Sequence, residues 1–496
     1  MSFIDNCLSS GFLVSSTLKG REAMDFGKFQ EFINTLKDKP QIIDDVLLKQ
    51  FDEFLNSFFE KKIEDNIKVD VTVKQFREKD IHKVEVIKNY PLNNKTRNMT
   101  DWFDYYVSRY NSMRKLLEFR TELRNATSIA SIMKMAGRNQ VSTIGLVKDI
   151  KKTHNNNYII DIEDPTGVMS TILSGEKDNL KKLAEELVHD EVVGIVGSVS
   201  NKRIFISDII SPDVPEKETI TSPVEEYACF IADTHIGSVN FEKEMYDNFV
   251  SWLKGNSGSE DNKNVAKKVK YLFVIGDLVD GVGVYPGQEK ELKITDIYKQ
   301  YELFADYLKD LPSDIQLVFI PGNHDAIRQS EPQPPLFNDI AKPVFNLSNV
   351  NNLSNPSMVS IGGMDDFRGL NVLMYHGFSY TYYASTVQKL IPIGMDKPDN
   401  VGEFLLRKRH LAPSHASGLI TPEAFDPLVI DTIPDVLVSG HIHTLGHRKY
   451  KSTNIIATSC FQKMTSFMQK LGHHPTPGFV PLLNMKTRAV KVMNFT

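Results

Sequence analysis

Between residues 26 and 55 apolar residues recur every three or four positions: Phe26, Phe29, Phe32, Ile33 and Leu36, then Val46, Leu47, Phe51, Phe54 and Leu55. That is a helical period, so residues 1–55 predict a small helical N-terminal domain. Residues 56–136 read as a linker and a helix. Up to about residue 100 the chain is rich in Lys, Asp and Asn, with short alternating runs at Val69, Val71, Val73 and at Val84, Val86; a helix then runs from 101 to about 125 with Thr100 as its cap. Across 137–215 the period switches to two. Strand-like runs lie at 141–150, 158–163 and 168–173, a helical run at 179–187, and further strand-like runs at 192–199 and 203–210. Three strands, a helix and two strands is the order of an OB-fold, with another small barrel as the alternative. Residues 211–223 hold three prolines among polar residues and read as a linker.

From 225 to 496 the pattern becomes apolar strand, polar loop, helix, repeated. Ile294, Ile297, Tyr298, Tyr301, Phe304, Ala305, Leu308 and Leu311 form one helical face between two such strands. This predicts an α/β sandwich.

Composition adds little until it is divided by region. The 496 residues carry 58 Lys and Arg against 63 Asp and Glu, a net charge of −5, which excludes a strongly basic or acidic protein. Residues 401–496 alone hold 11 basic against 5 acidic residues and seven of the 13 histidines, a bias permissive for a phosphate-rich partner. Cys7, Cys229 and Cys460 are too few and too far apart for a disulfide framework or a Cys-type zinc site. With no apolar run of 18 residues and no basic region ahead of the N-terminal apolar residues, the expectation is a cytoplasmic chain with no membrane contact.

The chemistry is concentrated at five strand ends. CFIADTH closes with Asp233 and His235, YLFVIGDLVD carries Asp277 and Asp280, LVFIPGNHD carries Asn323, His324 and Asp325, NVLMYHG gives His376, and VLVSGHIH gives His441 and His443. Strand C-termini of an α/β sheet converge on one edge, so these residues can meet. Gly276, Gly322, Gly377 and Gly440 suit sharp turns as the chain leaves each strand. Mixed Asp, Asn and His donors favour Mn, Fe or Zn over Mg or Ca. Asp233, His235, Asp277, Asn323, His376, His441 and His443 are too many for one four-coordinate ion and enough for two sharing a carboxylate, the arrangement that clamps a phosphoryl centre. His324, beside Asn323, is placed to meet the phosphate or protonate a leaving oxygen.

Those five motifs resemble the calcineurin-like metallophosphoesterase superfamily over about 225–450. The resemblance implies two β-sheets flanked by helices around a dinuclear metal centre. Asp233, His235 and His443 would hold one ion, Asn323, His376 and His441 the other, with Asp277 between them. Gly281 stands where the protein phosphatases of the superfamily carry an Arg, and GNHD replaces GNHE, which argues against phosphoserine as substrate. The segments GDLVDGVGVYPGQEKE (276–291) and PTPGFVPLLNMKT (475–487) further resemble small subunits of archaeal D-family DNA polymerases. That resemblance implies the fold class α/β: a small helical N-terminal unit, an OB-fold β-barrel, and a metallophosphoesterase β-sandwich flanked by helices. It implies a 3′→5′ proofreading exonuclease with two divalent ions, usually Mn, acting on a frayed DNA 3′ end beside a large catalytic subunit. A scaffold subunit, a free-standing repair nuclease and a small-molecule phosphodiesterase are the competing readings. Tyr285, Pro286, Gly287 and Gln288 border the cleft, either to guide a DNA strand or only to pack. Arg328 is a candidate phosphate contact or a surface ion pair, and Arg407, Lys408, Arg409 and His410 read as a solvated helix face, with DNA contact as the alternative. His410, His415, His447, His473 and His474 fall outside the motifs and read as non-ligands.

Overall fold

The computed structural model describes residues 83–496 apart from Lys177, Asp365 and Leu471, together with Leu13, Val14, Phe29, Ile33, Asn34, Leu36, Ile42, Ile43, Leu47 and Gln50. Two compact units are present, Met1–Glu78 and Lys79–Thr496. In the first, Phe29, Ile33 and Leu47 are buried and helical, and Leu13–Val14 pairs in parallel with Ile42–Ile43, a strand pair the helical reading does not contain. The rest of the helical reading of 1–55 lies outside the described residues.

In the second unit two six-stranded sheets carry the motifs. One runs Val350–Asn352, Gln316–Ile320, Val269–Ile275, Tyr227–Ile231, Phe479–Asn484, Val490–Asn494; its first four strands are parallel and its last two antiparallel. The other runs Gly446–Tyr450, Thr453–Ala457, Val436–Ser439, Leu370–Tyr375, Ser357–Ile361, Glu85–Lys88. Each central strand is apolar on both faces because each face has its own cover. In Tyr227–Ile231, Ala228 and Phe230 join Tyr271, Phe273, Val318, Val372, Met374 and Val438 in a core shared by both sheets. Cys229 and Ile231 point the other way, onto the helices Lys243–Leu253 and Ile297–Leu308. Residues one apart therefore serve two cores, and a one-residue slip would exchange them. The helical face read at 294–311 is that second helix, begun by Asp296, whose carboxylate accepts from Tyr298 N and Lys299 N.

Strands Asn139–Lys152, Tyr158–Asp164, Gly167–Leu173, Val192–Ser200 and Arg203–Ile210 close into a barrel, with helix Asp178–Glu185 between the third and fourth. Three sequence expectations need correction. The residues at 84–86 are no part of a linker: Glu85–Lys88 is a strand paired antiparallel with Ser357–Ile361. The helix Met99–Glu118 starts earlier than expected, because Asn98 rather than Thr100 caps it, in a capping box with Asp101. The basic run at 407–410 is not a solvated face. Lys408 is buried against Glu191 of the barrel at 2.8 Å, and Arg407 meets Glu186 at 3.0 Å. Arg409 donates to the carbonyls of Ile430 and Asp431, and His410 Nε2 to Asp426 Oδ2 at 2.8 Å. These charges fasten the barrel and the sandwich together. The 211–223 segment is likewise tied down, with Asp213 accepting from Tyr450 Oη and Lys451 Nζ.

Candidate metal centre

The backbone itself marks the site. Asp233, His235, Asp277, His441 and His443 are five of fourteen described non-glycine residues with left-handed φ, between 47° and 69°. Such a conformation costs about 1–3 kcal/mol each and persists where the surroundings impose it for a function. Here each lies within a few residues of the end of an apolar strand, Tyr227–Ile231, Val269–Ile275 or Val436–Ser439. Of the four turn glycines, Gly276 and Gly377 do have positive φ. Gly322 and Gly440 are needed for room instead. A Cβ on Gly322 would sit 2.2 Å from Asp277 Oδ1, and one on Gly440 2.9 Å from Asp233 Oδ2.

The side chains form two clusters joined by one carboxylate, with a third group, His235, Asp277 and His324, overlapping both. Asp233, His235 and His443 offer ligand atoms within 4.8 Å of one another, as do Asp277, His376 and His441. Asp277 Oδ2 lies 3.7 Å from His235 Nε2 and 3.4 Å from His376 Nε2, between the clusters, while its Oδ1 accepts from His324 N at 2.8 Å. Asn323 Oδ1 stands 3.1 Å from His376 Nε2. All seven candidates therefore converge.

Hydrogen bonds aim the lone pairs inward. His376 Nδ1 donates to Ile275 O at 2.8 Å and His235 Nδ1 to Asp280 Oδ1 at 2.9 Å, which leaves each Nε2 as the electron-pair donor. His235 Nε2 faces His443 Nε2 at 3.2 Å. Asp233 Oδ1 is buried with no hydrogen-bond partner, 3.6 Å from His443 Nε2. A desolvated carboxylate oxygen among imidazole lone pairs fits a bound cation, which would satisfy both.

The electrostatics agree. Burial, with Asp277 adding to it, raises the Asp233 carboxyl, and burial lowers His441 to about 3. Burial and the charge on His235 pull His443 well down. His376 and His235 go the other way: burial opposes their charge, but the adjacent carboxylates outweigh it, Asp277 lifting His376 to about 10 and Asp280 with Asp277 raising His235.

Two acidic residues in the motifs act behind the clusters, which the sequence reading did not assign. Asp280 accepts from His235 through its carboxylate and from His324 Nδ1 through its carbonyl, at 2.8 Å. Asp325 ties the third motif to the second, accepting from Gly322 N, Leu278 N and Tyr301 Oη. Their positions within GDLVD and GNHD were the available signal. Of the candidate substrate contacts, Tyr285 is at the rim, its ring 6.2 Å from that of His324 and its hydroxyl donating to Glu291. Arg328 is turned away: its guanidinium donates to Pro332 O and pairs with Glu423 at 3.4 Å, so the ion-pair reading fits it.

The model of the calcineurin-like phosphoesterase family matches residues 228–445, the span that holds the clusters. The chain is 42% identical over 388 residues to the DNA polymerase II small subunit of Methanothermobacter thermautotrophicus, covering 77% of either chain. It is 38% identical over 384 residues to that of Archaeoglobus fulgidus, covering 77% of this chain and 75% of the relative. With that of Methanocaldococcus jannaschii it shares 35% identity over 393 residues, 79% of this chain and 64% of the relative. Identity over 388 residues reaches well beyond the span 228–445 matched by the phosphoesterase model, and it makes this chain a member of the DNA polymerase II small subunit family, with a calcineurin-like phosphoesterase domain.

Proposed function

We propose that this chain is the 3′→5′ proofreading exonuclease of its polymerase, removing mispaired nucleotides from a DNA 3′ end. The observation that carries the reading is Asp277 Oδ2 lying between His235 Nε2 and His376 Nε2. One carboxylate shared by two donor clusters suits a pair of divalent ions, with Asp233, His235 and His443 on one, Asn323, His376 and His441 on the other, and Asp277 on both. When bound, such ions activate water and neutralise charge on a phosphodiester. Mn fits the mixed nitrogen and oxygen donors, with Fe or Zn as alternatives.

The chain's own groups do the rest. His324 keeps its Nδ1 proton on the Asp280 carbonyl, so Nε2 is the atom that would take up the proton given off by the attacking water and deliver it to the leaving oxygen. Burial lowers the His324 imidazole from its ordinary value. Mispaired ends enter more often because less pairing energy opposes fraying, so selectivity requires no base contact. Tyr285 is positioned at the rim for that strand. We read the five-stranded barrel as an OB-fold module, and a polymerase large subunit as the partner that supplies the 3′ end.

The test is degradation of a 5′-labelled primer with a 3′ mismatch, in Mn, Mg or EDTA, by the wild type and by Asp277→Ala. A ladder shortening from the 3′ end that needs both metal and Asp277 is expected. Wild-type rates from Asp277→Ala in Mn would sink the shared-carboxylate assignment.

A further inference from the structure

Asp280 and Gly281 are gripped by three glutamines from three separate elements. Gln288, in the turn Gln288–Lys290, donates from Nε2 to Asp280 O at 2.8 Å and to Asp280 Oδ2 at 3.3 Å, and accepts from Val284 N at 2.8 Å. Gln300, in the helix Ile297–Leu308, accepts from Gly281 N at 2.9 Å and donates to Gly281 O at 3.1 Å. Gln462, beyond the strand Thr453–Ala457, donates to Asp280 Oδ1 at 3.3 Å and to Ser238 Oγ at 3.2 Å. Their exposures are 0%, 0% and 4%. Glutamine is seldom fully buried and loses much rotamer freedom when it is. Three converging on two residues need a reason beyond packing. Even the backbone is closed down on one of them, since a Cβ on Gly237 would lie 2.5 Å from Gln300 Cδ.

The reason lies in what Asp280 holds. Its carboxylate takes the Nδ1 proton of His235 and its carbonyl that of His324. Turning the carboxylate by one rotamer releases His235, and tilting the 280–281 peptide releases His324. We propose that Gln288, Gln300 and Gln462 are positioning residues that act through Asp280 to fix the tautomers of His235 and His324 together. The proposal rests on the reading of His235 as a ligand and His324 as the proton carrier, and adds how both are kept ready. His376 is held independently, by Ile275 O, and serves as an internal control.

The tautomers are read directly by long-range 15N–1H correlation of the imidazoles in the full-length chain without metal. In the wild type the Nδ1 of His235, His324 and His376 each carries its hydrogen-bonded proton. Gln462→Leu is expected to give mixed tautomers at His235, and Gln288→Leu at both His235 and His324, with His376 unchanged. Titration with Mn2+, followed by its electron paramagnetic resonance, should then show about tenfold weaker binding at one of two sites. A role confined to stability would lower the melting temperature and leave the tautomers alone. If His235 keeps one Nδ1–H form in the folded Gln288→Leu, Gln462→Leu double variant, the proposal is overturned. Where a leucine variant loses its fold, seen as loss of the His376 signal, Gln288→Asn and Gln462→Asn keep an amide with shorter reach and must give the same mixed tautomers. Tautomers that respond as expected in a wild type that binds no Mn2+ would overturn the metal reading and leave the glutamine clamp standing.

Discussion

Removing the Asp426 carboxylate isolates a buried charge, and the structure allows the cost to be worked out. Arg109 and Asp426 are 1% and 0% exposed, with Nε 2.6 Å from Oδ2. The guanidinium also donates to the carbonyls of Pro413 and Asp190 and to Tyr105 Oη, so it joins the helix Met99–Glu118 to the barrel and the sandwich at once. In Asp426→Ala these neutral acceptors remain, but a group that stays protonated at every accessible pH loses its counter-ion. Breaking one side of such a pair costs about 3–5 kcal/mol. For a folded body of ~400 residues, at roughly 2.1 cal/mol/K per residue, the unfolding entropy is about 0.8 kcal/mol/K, so the melting temperature falls by about 4–6 °C. Calorimetry or circular dichroism on the purified chain reads the shift. Replacing both partners, as Arg109→Met with Asp426→Leu, removes the isolated charge and should recover most of the loss. The pH dependence follows from the carboxylate. Burial pushes Asp426 up, but Arg109 and His410 outweigh it and hold the carboxyl well below its usual range. A depressed carboxylate contributes stability above its unfolded pKa, about 3.9, and loses it as pH falls toward the folded value. The wild type should therefore lose this contribution only below about pH 4, and Asp426→Asn should lack that acid-sensitive component. A drop under about 1 °C in Asp426→Ala, or a double variant no better than the single, refutes the reasoning.

The remaining predictions concern the site and the seam beside it. Gly322→Ala places a Cβ 2.2 Å from Asp277 Oδ1 and 2.7 Å from His376 Cε1; it should cost about 1–3 kcal/mol in stability and abolish Mn2+ binding in titration calorimetry, and unchanged binding would mean the backbone yields freely. Lys408→Met leaves Glu191 buried without its cation, where burial already raises the carboxyl; a loss of about 3 kcal/mol is expected in urea unfolding, and a shift within error would show that Glu191 simply takes up a proton. Mn2+ at about 100 times its dissociation constant should stabilise the folded chain by about 2.7 kcal/mol, seen as a higher melting temperature that EDTA reverses. An identical shift in Asp277→Ala would point to binding elsewhere.

The sequence by itself determined the elements whose signal is local. Period-two runs located the five barrel strands, and five apolar strands ending in ligand residue types picked out Asp233, His235, Asp277, Asn323, His376, His441 and His443, which the fold brings together. Each strand is short, apolar and closed by a turn, so its chemistry is written within a few residues. What only the tertiary structure decided depends on residues far apart in the chain. Arg407, Lys408, Arg409 and His410 have the composition of a solvated helix end, and only Glu186, Glu191 and Asp426 opposite them make them a seam. Arg328 is near the third motif in sequence, yet Pro332 and Glu423 take its guanidinium. Gly322 and Gly440 read as turn glycines, whereas a side chain packed from another strand demands their missing Cβ. Gln462 lies 182 residues from Asp280 and carries no motif. Periodicity reports which face of an element is covered, but the identity of the covering group is a property of the packed chain, and charge, glycine and glutamine positions take their meaning from it.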